Sequence, residues 1–352
     1  PKLQLLLFYA LPISAFFLGC CFAGKGRSLP LPVLAFVSLV CIQLTRSLNL
    51  SEASLLTFVL TGSVTVAFGV VELKTSNRDW LFRMVAWTAG LVCVIGVLES
   101  WGLIEIRSAG RPSATLGFRN TAAAYAIGCL PWCVYLMTRR QSMDRLTGAL
   151  TSGVVLLFIL YTRSRGAWMG LVVSSLAVGS WYLHLRRQGV RSEIRKSKLG
   201  LVSVVVLGIL FLGSLEPAFE DISSSRLDEK KQSIQETVRS LSLPGGDRAR
   251  LVIWSHTFDM FADHVLFGVG MGNWSAFYPL YDGGDVLHIN SAPRRPHNDY
   301  LWIASELGIV GIGLFAWCLI SALHSVYQRR EPWRIAASGS LIAVATHSLF
   351  SC

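Results

Sequence analysis

"RRPHNDYLWIASELGIVG", residues 294–311, sets two arginines, a histidine and an aspartate at the head of an apolar run. That run continues to about residue 326 and carries a carboxylate of its own, Glu306. A helix crosses a hydrocarbon core of about 30 Å with about 20 residues, so the run is long enough to span a bilayer. An ionised carboxylate at the centre of such a helix costs about 2.5–3.5 kcal/mol on insertion scales, which marks Glu306 as a residue in need of a partner.

The rest of the chain has the same character. Of its 352 residues 52% are hydrophobic and 15% charged, with a mean hydropathy of +0.50; a soluble globular domain carries about a quarter charged residues. Further stretches of spanning character lie at 3–23, 30–48, 53–73, 81–103, 121–138, 146–162, 166–185, 199–215 and 333–352, which with 299–326 makes about ten spans. "LVSVVVLGILFLG" (201–213) shows none of the alternation of a barrel strand, and without that alternation only helices satisfy a backbone in lipid. The sequence therefore predicts an all-α, polytopic transmembrane helix bundle. Eight spans occupy 1–215, one large outer loop 216–297, and two more spans 298–352. Residues 3–23 lack a basic leader and a small-x-small site, so they read as a span and not as a cleaved signal peptide.

The net charge of +11 raises nucleic acid as a partner, but the placement of the cations excludes it. Lys25 and Arg27, then Lys74, Arg78 and Arg83, then Arg139, Arg140 and Arg145, then "RRQGVRSEIRKSK" (186–198), then Arg329, Arg330 and Arg334 fall in every second connection. This is the positive-inside pattern; it puts those connections in the cytoplasm and 45–52, 104–120, 163–165 and 216–297 on the outer side. The eight cysteines (20, 21, 41, 93, 129, 133, 318, 352) lie inside the spans, with neither a disulfide framework nor finger spacing for a metal.

In the outer loop, "SSSRLDEKKQSIQETVRSL" (223–241) has helical spacing, and "LPGGD" ends it. "RARLVIWSHTFDMFADH" (248–264) then places Leu251, Trp254, Phe258 and Phe261 on one stripe, an amphipathic helix that lies on the membrane or caps the bundle. "GVGMGNW" (268–274) lacks the preceding strand of a dinucleotide fingerprint and reads as a turn, the alternative being a backbone cradle for a ligand.

Polar residues crowd the outer helix ends. "GFRN" (117–120), "YTRSRG" (161–166), "RARLVIW" (248–254) and "RRPHND" (294–299) gather Arg119, Arg163, Arg165, Arg248, Arg250, Arg294, Arg295 and His297 on the side where positive charge is normally depleted. Guanidinium groups match phosphate oxygens, so the expected ligand is anionic, with lipid headgroups the bland alternative. His297 is held at a helix start by Pro296 and by Asn298 and Asp299, which look like capping residues; it is a candidate base or donor near neutral pH. His347, inside the last span, is a second polar candidate. Glu306 is nine residues past His297 and off its face, so the two form no dyad; it is expected to anchor an arginine or a neighbouring helix.

"GFRNTAAAYA", "TRSRGAWMGL", "RLVIW" followed by "GVGMGNW", and "RPHNDYLWIASELGIVG", in this order and with a large outer loop before the last spans, resemble the O-antigen ligase and polymerase superfamily of bacterial inner-membrane proteins. The resemblance covers about residues 115–325. It implies a GT-C-like glycosyltransferase, with more spans than the ten read here, that needs neither metal nor cofactor. The implied donor is an undecaprenyl-diphosphate-linked glycan, and the implied acceptor is the lipid A core or another glycan at the periplasmic face.

Carried over by motif, Arg165 before Gly166 and Arg250 before Trp254 would hold the donor diphosphate, with Arg163, Arg248 and Arg119 as neighbours of the same kind. His297 would orient or deprotonate the acceptor hydroxyl, supported by Asn120, Asn298, Asp299 and Glu306. O-antigen ligase, O-antigen polymerase and protein O-oligosaccharyltransferase share these motifs. The readings from other classes are a transporter or flippase of an anionic lipid-linked solute and a structural or sensory membrane domain.

Overall fold

The computed structural model describes residues 30–72, 75–104, 112–187, 248–284, 286, 293–327 and 331–350, and among them there is no strand. Helices α1 (Leu31–Gln43), α2 (Leu50–Glu72), α3 (Thr75–Ser100), α4 (Arg119–Met137), α5 (Ser142–Thr162) and α6 (Arg165–Arg187) come first. Then follow α7 (Arg248–Asp263), the short α8 (Trp274–Phe277) and α9 (Pro279–Asp282), α10 (Asp299–Tyr327) and α11 (Pro332–His347). Helices thus stand on eight of the ten stretches read as spans. The stretches 3–23 and 199–215, the helical spacing at 223–241 and most of the basic run at 186–198 lie outside the described residues.

Among the described residues three helices are long and apolar enough to cross a membrane: α3 over Arg78–Ser100, α5 and α10. Helix α1 is apolar but shorter; its 13 residues make about 20 Å at 1.5 Å per residue. The chain then tightens into a 3₁₀ turn at Leu44–Arg46 instead of continuing to residue 48.

At the centre of the bundle α4 packs against α3, α5, α6 and α11. Lipid tails are as apolar as leucine, so helices in a bilayer gain by close approach of small residues more than by hydrophobic burial. Accordingly α4 buries Ala122, Ala123, Ala126, Gly128, Cys129 and Cys133. A Cβ on Gly148 of α5 would stand 2.6 Å from the Cys133 carbonyl oxygen, and one on Gly170 of α6 2.6 Å from that of Ala343. Ser340 Oγ donates to the Gly128 carbonyl (2.6 Å) and Ser174 Oγ to that of Gly339 (2.8 Å). The five described cysteines, 41, 93, 129, 133 and 318, are free thiols.

One end of this bundle is closed by matched charge. Arg83 grips Asp144 with Nε and Nη2 (2.7 and 3.1 Å), and Arg139 grips Asp79 with Nη1 and Nη2 (3.0 and 2.6 Å). The buried Arg334 pairs with Glu331 (2.6 Å) beside Trp333. This is the end that the charge pattern assigns to the cytoplasm, and these three cations have carboxylate partners.

A second packed group joins α1 and α2 to α10 through Leu39, Val40, Leu56, Val59, Met271 and Leu307. Here α10 is broken. Gly308 takes φ +69° and ψ −167°, so two helical segments meet at a kink. The carbonyls of Ser305 and Glu306 lose the amides of Ile309 and Val310, their partners four residues on. They accept instead from Val269 N (2.9 Å) and Gly270 N (3.0 Å), while Ile309 N and Val310 N donate to the carbonyls of Val265 (2.7 Å) and Leu266 (3.4 Å). The loop segment 265–270 thus replaces two helical hydrogen bonds with four, which satisfies non-helical backbone at membrane depth.

The loop helix α7 carries a second apolar face beside the stripe read from sequence. Its buried side is Ile253, Thr257 and Met260, with Trp254 and Phe261 half-buried, whereas Leu251 and Phe258 are 59% and 56% exposed. The helix is apolar on two faces. The inner one packs against Val269, Trp274 and Tyr278.

Candidate functional site

At the opposite end of the bundle, the four polar motifs meet around a feature that sequence reasoning did not single out, the turn ending α11. Tight packing at the start of α6 comes first: a Cβ on Gly166 would lie 3.2 Å from His347 Cδ2 and 3.2 Å from Phe350 Cβ. The Trp254 ring on α7 lies 6.4 Å from that of Phe350, and its Nε1 donates to the Pro296 carbonyl (2.8 Å). Asp299 N donates to the Ser348 carbonyl (2.9 Å), and Tyr300 Oη to that of Ala345 (2.7 Å). Ser164 Oγ donates to Asn120 Oδ1 (3.1 Å), tying "GFRN" to "TRSRG". The only sequence signal for this hub was a histidine, His347, inside an apolar run.

The site's own residues are held tightly. His297 has φ +60° and Arg163 φ +48°, a left-handed conformation uncommon for residues with a side chain. Such strain persists where the surroundings over-determine it, which is typical of functional sites. Arg163 closes α5 and Arg165 opens α6, so the two fall on different helices. Asn298 is the cap of α10: its Oδ1 accepts from Tyr300 N (3.0 Å) and Leu301 N (3.1 Å). Asp299 is the first helical residue behind it.

His297 is half-buried, and its Nδ1 is buried without a hydrogen-bond partner. Burial, and then the positive charge of Arg250, hold its pKa below the ordinary histidine value. Both causes penalise the protonated ring, so near neutral pH it is uncharged, as a proton acceptor must be. Arg119 opens α4 with Nη1 buried and unmet. Arg165 and Arg250 are half-buried at the starts of α6 and α7; the side chain of Arg248 lies outside the described residues.

Among the described residues Glu306 holds the glycine turn and the start of α8 and not an arginine. Fully enclosed, it grips the glycine turn: Oε2 accepts from Gly272 N (2.9 Å) and Oε1 from Trp274 N (3.0 Å). The amides of 269, 270, 272 and 274 are therefore engaged within the chain, which removes the ligand cradle as a reading of "GVGMGNW". Asn273 fixes the same turn from the other side, accepting from Leu48 N (2.8 Å) and donating to the Arg46 carbonyl (3.1 Å). Glu99 plays a similar part before "GFRN", its Oε2 accepting from Ser113 N (2.9 Å) and Ala114 N (2.8 Å). Neither Asn273 nor Glu99 stood out in the sequence.

A buried amide left without an acceptor costs about 1–3 kcal/mol, and Glu306→Ala strands two. We expect Glu306→Ala to lower the thermal midpoint of the detergent-purified protein by more than Glu306→Gln, which keeps one acceptor oxygen. Equal midpoints for both variants and the parent would remove this strut.

Residues 149–316 match the family described as O-antigen ligase. The match runs from α5 into the inner half of α10 and contains Arg163, Arg165, Arg250, the glycine turn and His297; Arg119, Asn120 and the end of α11 lie outside it. No curated protein matches the chain.

Proposed function

We infer from the O-antigen ligase domain at residues 149–316, by which this chain belongs to the O-antigen ligase and polymerase superfamily of membrane glycosyltransferases, a specific transfer. A glycan moves from undecaprenyl diphosphate to an acceptor hydroxyl, on the lipid A core or a related saccharide, at the periplasmic face of the inner membrane. The observation that carries this reading is a strained histidine that feels the charge of Arg250, at the end of the bundle where the half-buried Arg119, Arg163 and Arg165 also begin or end helices, opposite the matched charges.

In the reaction the acceptor oxygen attacks the anomeric carbon of the donor sugar. The bond from that carbon to the diphosphate breaks, and undecaprenyl diphosphate leaves with one more negative charge. The hydroxyl proton passes to His297. Arg165 and Arg250, flanked by Arg163, Arg248 and Arg119, meet the growing charge with preorganised donors. Asn298 and Asp299 fix the start of α10 behind the base, Asn120 ties α4 to the Arg165 turn, and Glu306 holds the glycine turn beneath. Polymerase and protein-glycosylating members would use the same residues with a different acceptor.

The broken α10 is a feature shared with transporters, whose unwound helices coordinate solute. Here the freed groups at 305, 306, 309 and 310 are met by the chain's own residues 265–270, which favours the transferase.

The test is transfer by purified protein from an undecaprenyl-diphosphate-linked glycan to rough lipopolysaccharide, with and without EDTA. Product is expected in both, reduced about 10²–10³-fold in Arg165→Ala at an unchanged thermal midpoint. Donor consumption only when further lipid-linked repeat is the acceptor would move the reading to a polymerase. No turnover of any donor would overturn it in favour of transport.

A further inference from the structure

We propose that Arg295 forms an oxyanion subsite beside His297, taking a carboxylate or phosphate borne on the acceptor saccharide; this rests on the transferase reading above. The guanidinium of Arg295 lies 4.4 Å from the centroid of the Trp302 ring on α10. An arginine stacked on an aromatic face has its plane fixed and its donors aimed sideways. Two of those donors, Nε and Nη2, are buried, and neither meets an acceptor. They form the side-on edge of the group, the edge that grips a carboxylate or phosphate with two parallel hydrogen bonds.

The surroundings explain why the edge is left without an acceptor. Arg295 and Arg294 both act electrostatically on Glu52 at the start of α2. That carboxylate instead takes a hydrogen bond from Asn49 Nδ2 (3.2 Å), and it reaches neither Nε nor Nη2. The contrast with the other end of the bundle is direct: Arg83, Arg139 and Arg334 each sit on a carboxylate there. A fold that can pair its arginines leaves the Nε and Nη2 donors of this one without an acceptor.

Position then selects the acceptor over the donor. Arg295 and His297 flank Pro296, whose carbonyl is pinned by Trp254. His297 feels Arg250 on α7, whereas Arg295 lies on Trp302 and faces Glu52 of α2. Two residues of chain span at most about 7 Å, so a saccharide that offers its hydroxyl to His297 lies over the same short segment that carries the fork.

The subsite is tested on the full-length protein in detergent by titration calorimetry with three probes: glucuronate, glucose 6-phosphate and glucose. The parent is expected to bind one or both acidic sugars at least about tenfold more tightly than glucose, as charged hydrogen bonds warrant. The stronger of the two identifies carboxylate or phosphate as the group taken. Arg295→Gln is expected to bind all three alike. Arg295→Lys, which keeps the charge and loses the fork, is expected to lose most of the preference, and it stands in if the glutamine variant does not fold. A parent without preference, or a preference that survives both substitutions, overturns the subsite. In transfer assays the same variants are expected to raise KM for an acidic acceptor about tenfold without changing KM for the donor. Binding preference lost on substitution, in a protein that transfers nothing, would uphold the subsite and sink the transferase; transfer indifferent to Arg295 would do the reverse.

Discussion

Gly308→Ala is expected to leave little folded protein. Gly308 combines φ +69° with ψ −167°, a region essentially closed to residues with a side chain. Space is closed as well: an added Cβ would collide with the Leu266 carbonyl and stand 2.5 Å from Phe267 N, both rigid backbone. Gly268 faces it with φ +65°, and a Cβ there would lie 2.5 Å from the Glu306 carbonyl oxygen and 2.6 Å from Leu307 N. Either substitution must separate the two strips of backbone that share four hydrogen bonds, each worth about 0.5–1.5 kcal/mol net, and strand their polar groups. Size-exclusion profiles of the solubilised protein should show Gly308→Ala and Gly268→Ala as aggregate. Gly313→Ala on the same helix, with open space around it, should run as the parent. A monodisperse Gly308→Ala protein with the parent's midpoint would mean that the break is not needed.

The second large effect is on chemistry. His297→Ala should reduce transfer by about 10²–10⁴-fold, the usual contribution of a positioned acid or base, while the protein stays folded. The pH dependence carries the sign. Burial and Arg250 lower the pKa of His297, so the acid limb of kcat/KM should lie below about pH 6.5, the free histidine value. Arg250→Met removes one of the two causes; beyond its effect on rate, it should move that limb upward. The same shift makes the folded state prefer the neutral ring. Its stability is undiminished above the unfolded pKa of about 6.5 and falls as pH drops from there toward the folded value. A limb at or above 6.5 in the parent, unmoved by Arg250→Met, would show that another group titrates.

Much of the helical layout follows from the apolar runs alone: the run at 121–138 became α4, Arg119–Met137, and the run at 299–326 became α10, Asp299–Tyr327. The order of the arginine motifs likewise pointed to one end of the bundle. What local pattern could not reveal was decided by partners far along the chain. In "ELGIVGIG" three glycines are equivalent as text, yet only Gly308 lies against the backbone of 266–267 and breaks the helix. Glu306 reads as an anchor for an arginine or a neighbouring helix, and it holds two amides 32 and 34 residues upstream, one in the glycine turn and one at the start of α8. On α7 the stripe read from sequence is split, with Leu251 and Phe258 facing outward, while the face that packs inward is Ile253, Thr257 and Met260, which the spacing of the largest side chains does not mark.

The break in α10 also orders events during synthesis. Residues 265–270 leave the ribosome before 305–310, so the partner strip is made before the helix that needs it. When the last spans enter the bilayer, the kinked helix offers two carbonyls and two amides that lipid cannot satisfy, each costing several kcal/mol if left alone. The kinked form of this helix is therefore conditional on a strip of backbone made earlier in the chain, and the break is a property of the pair and not of the helix alone.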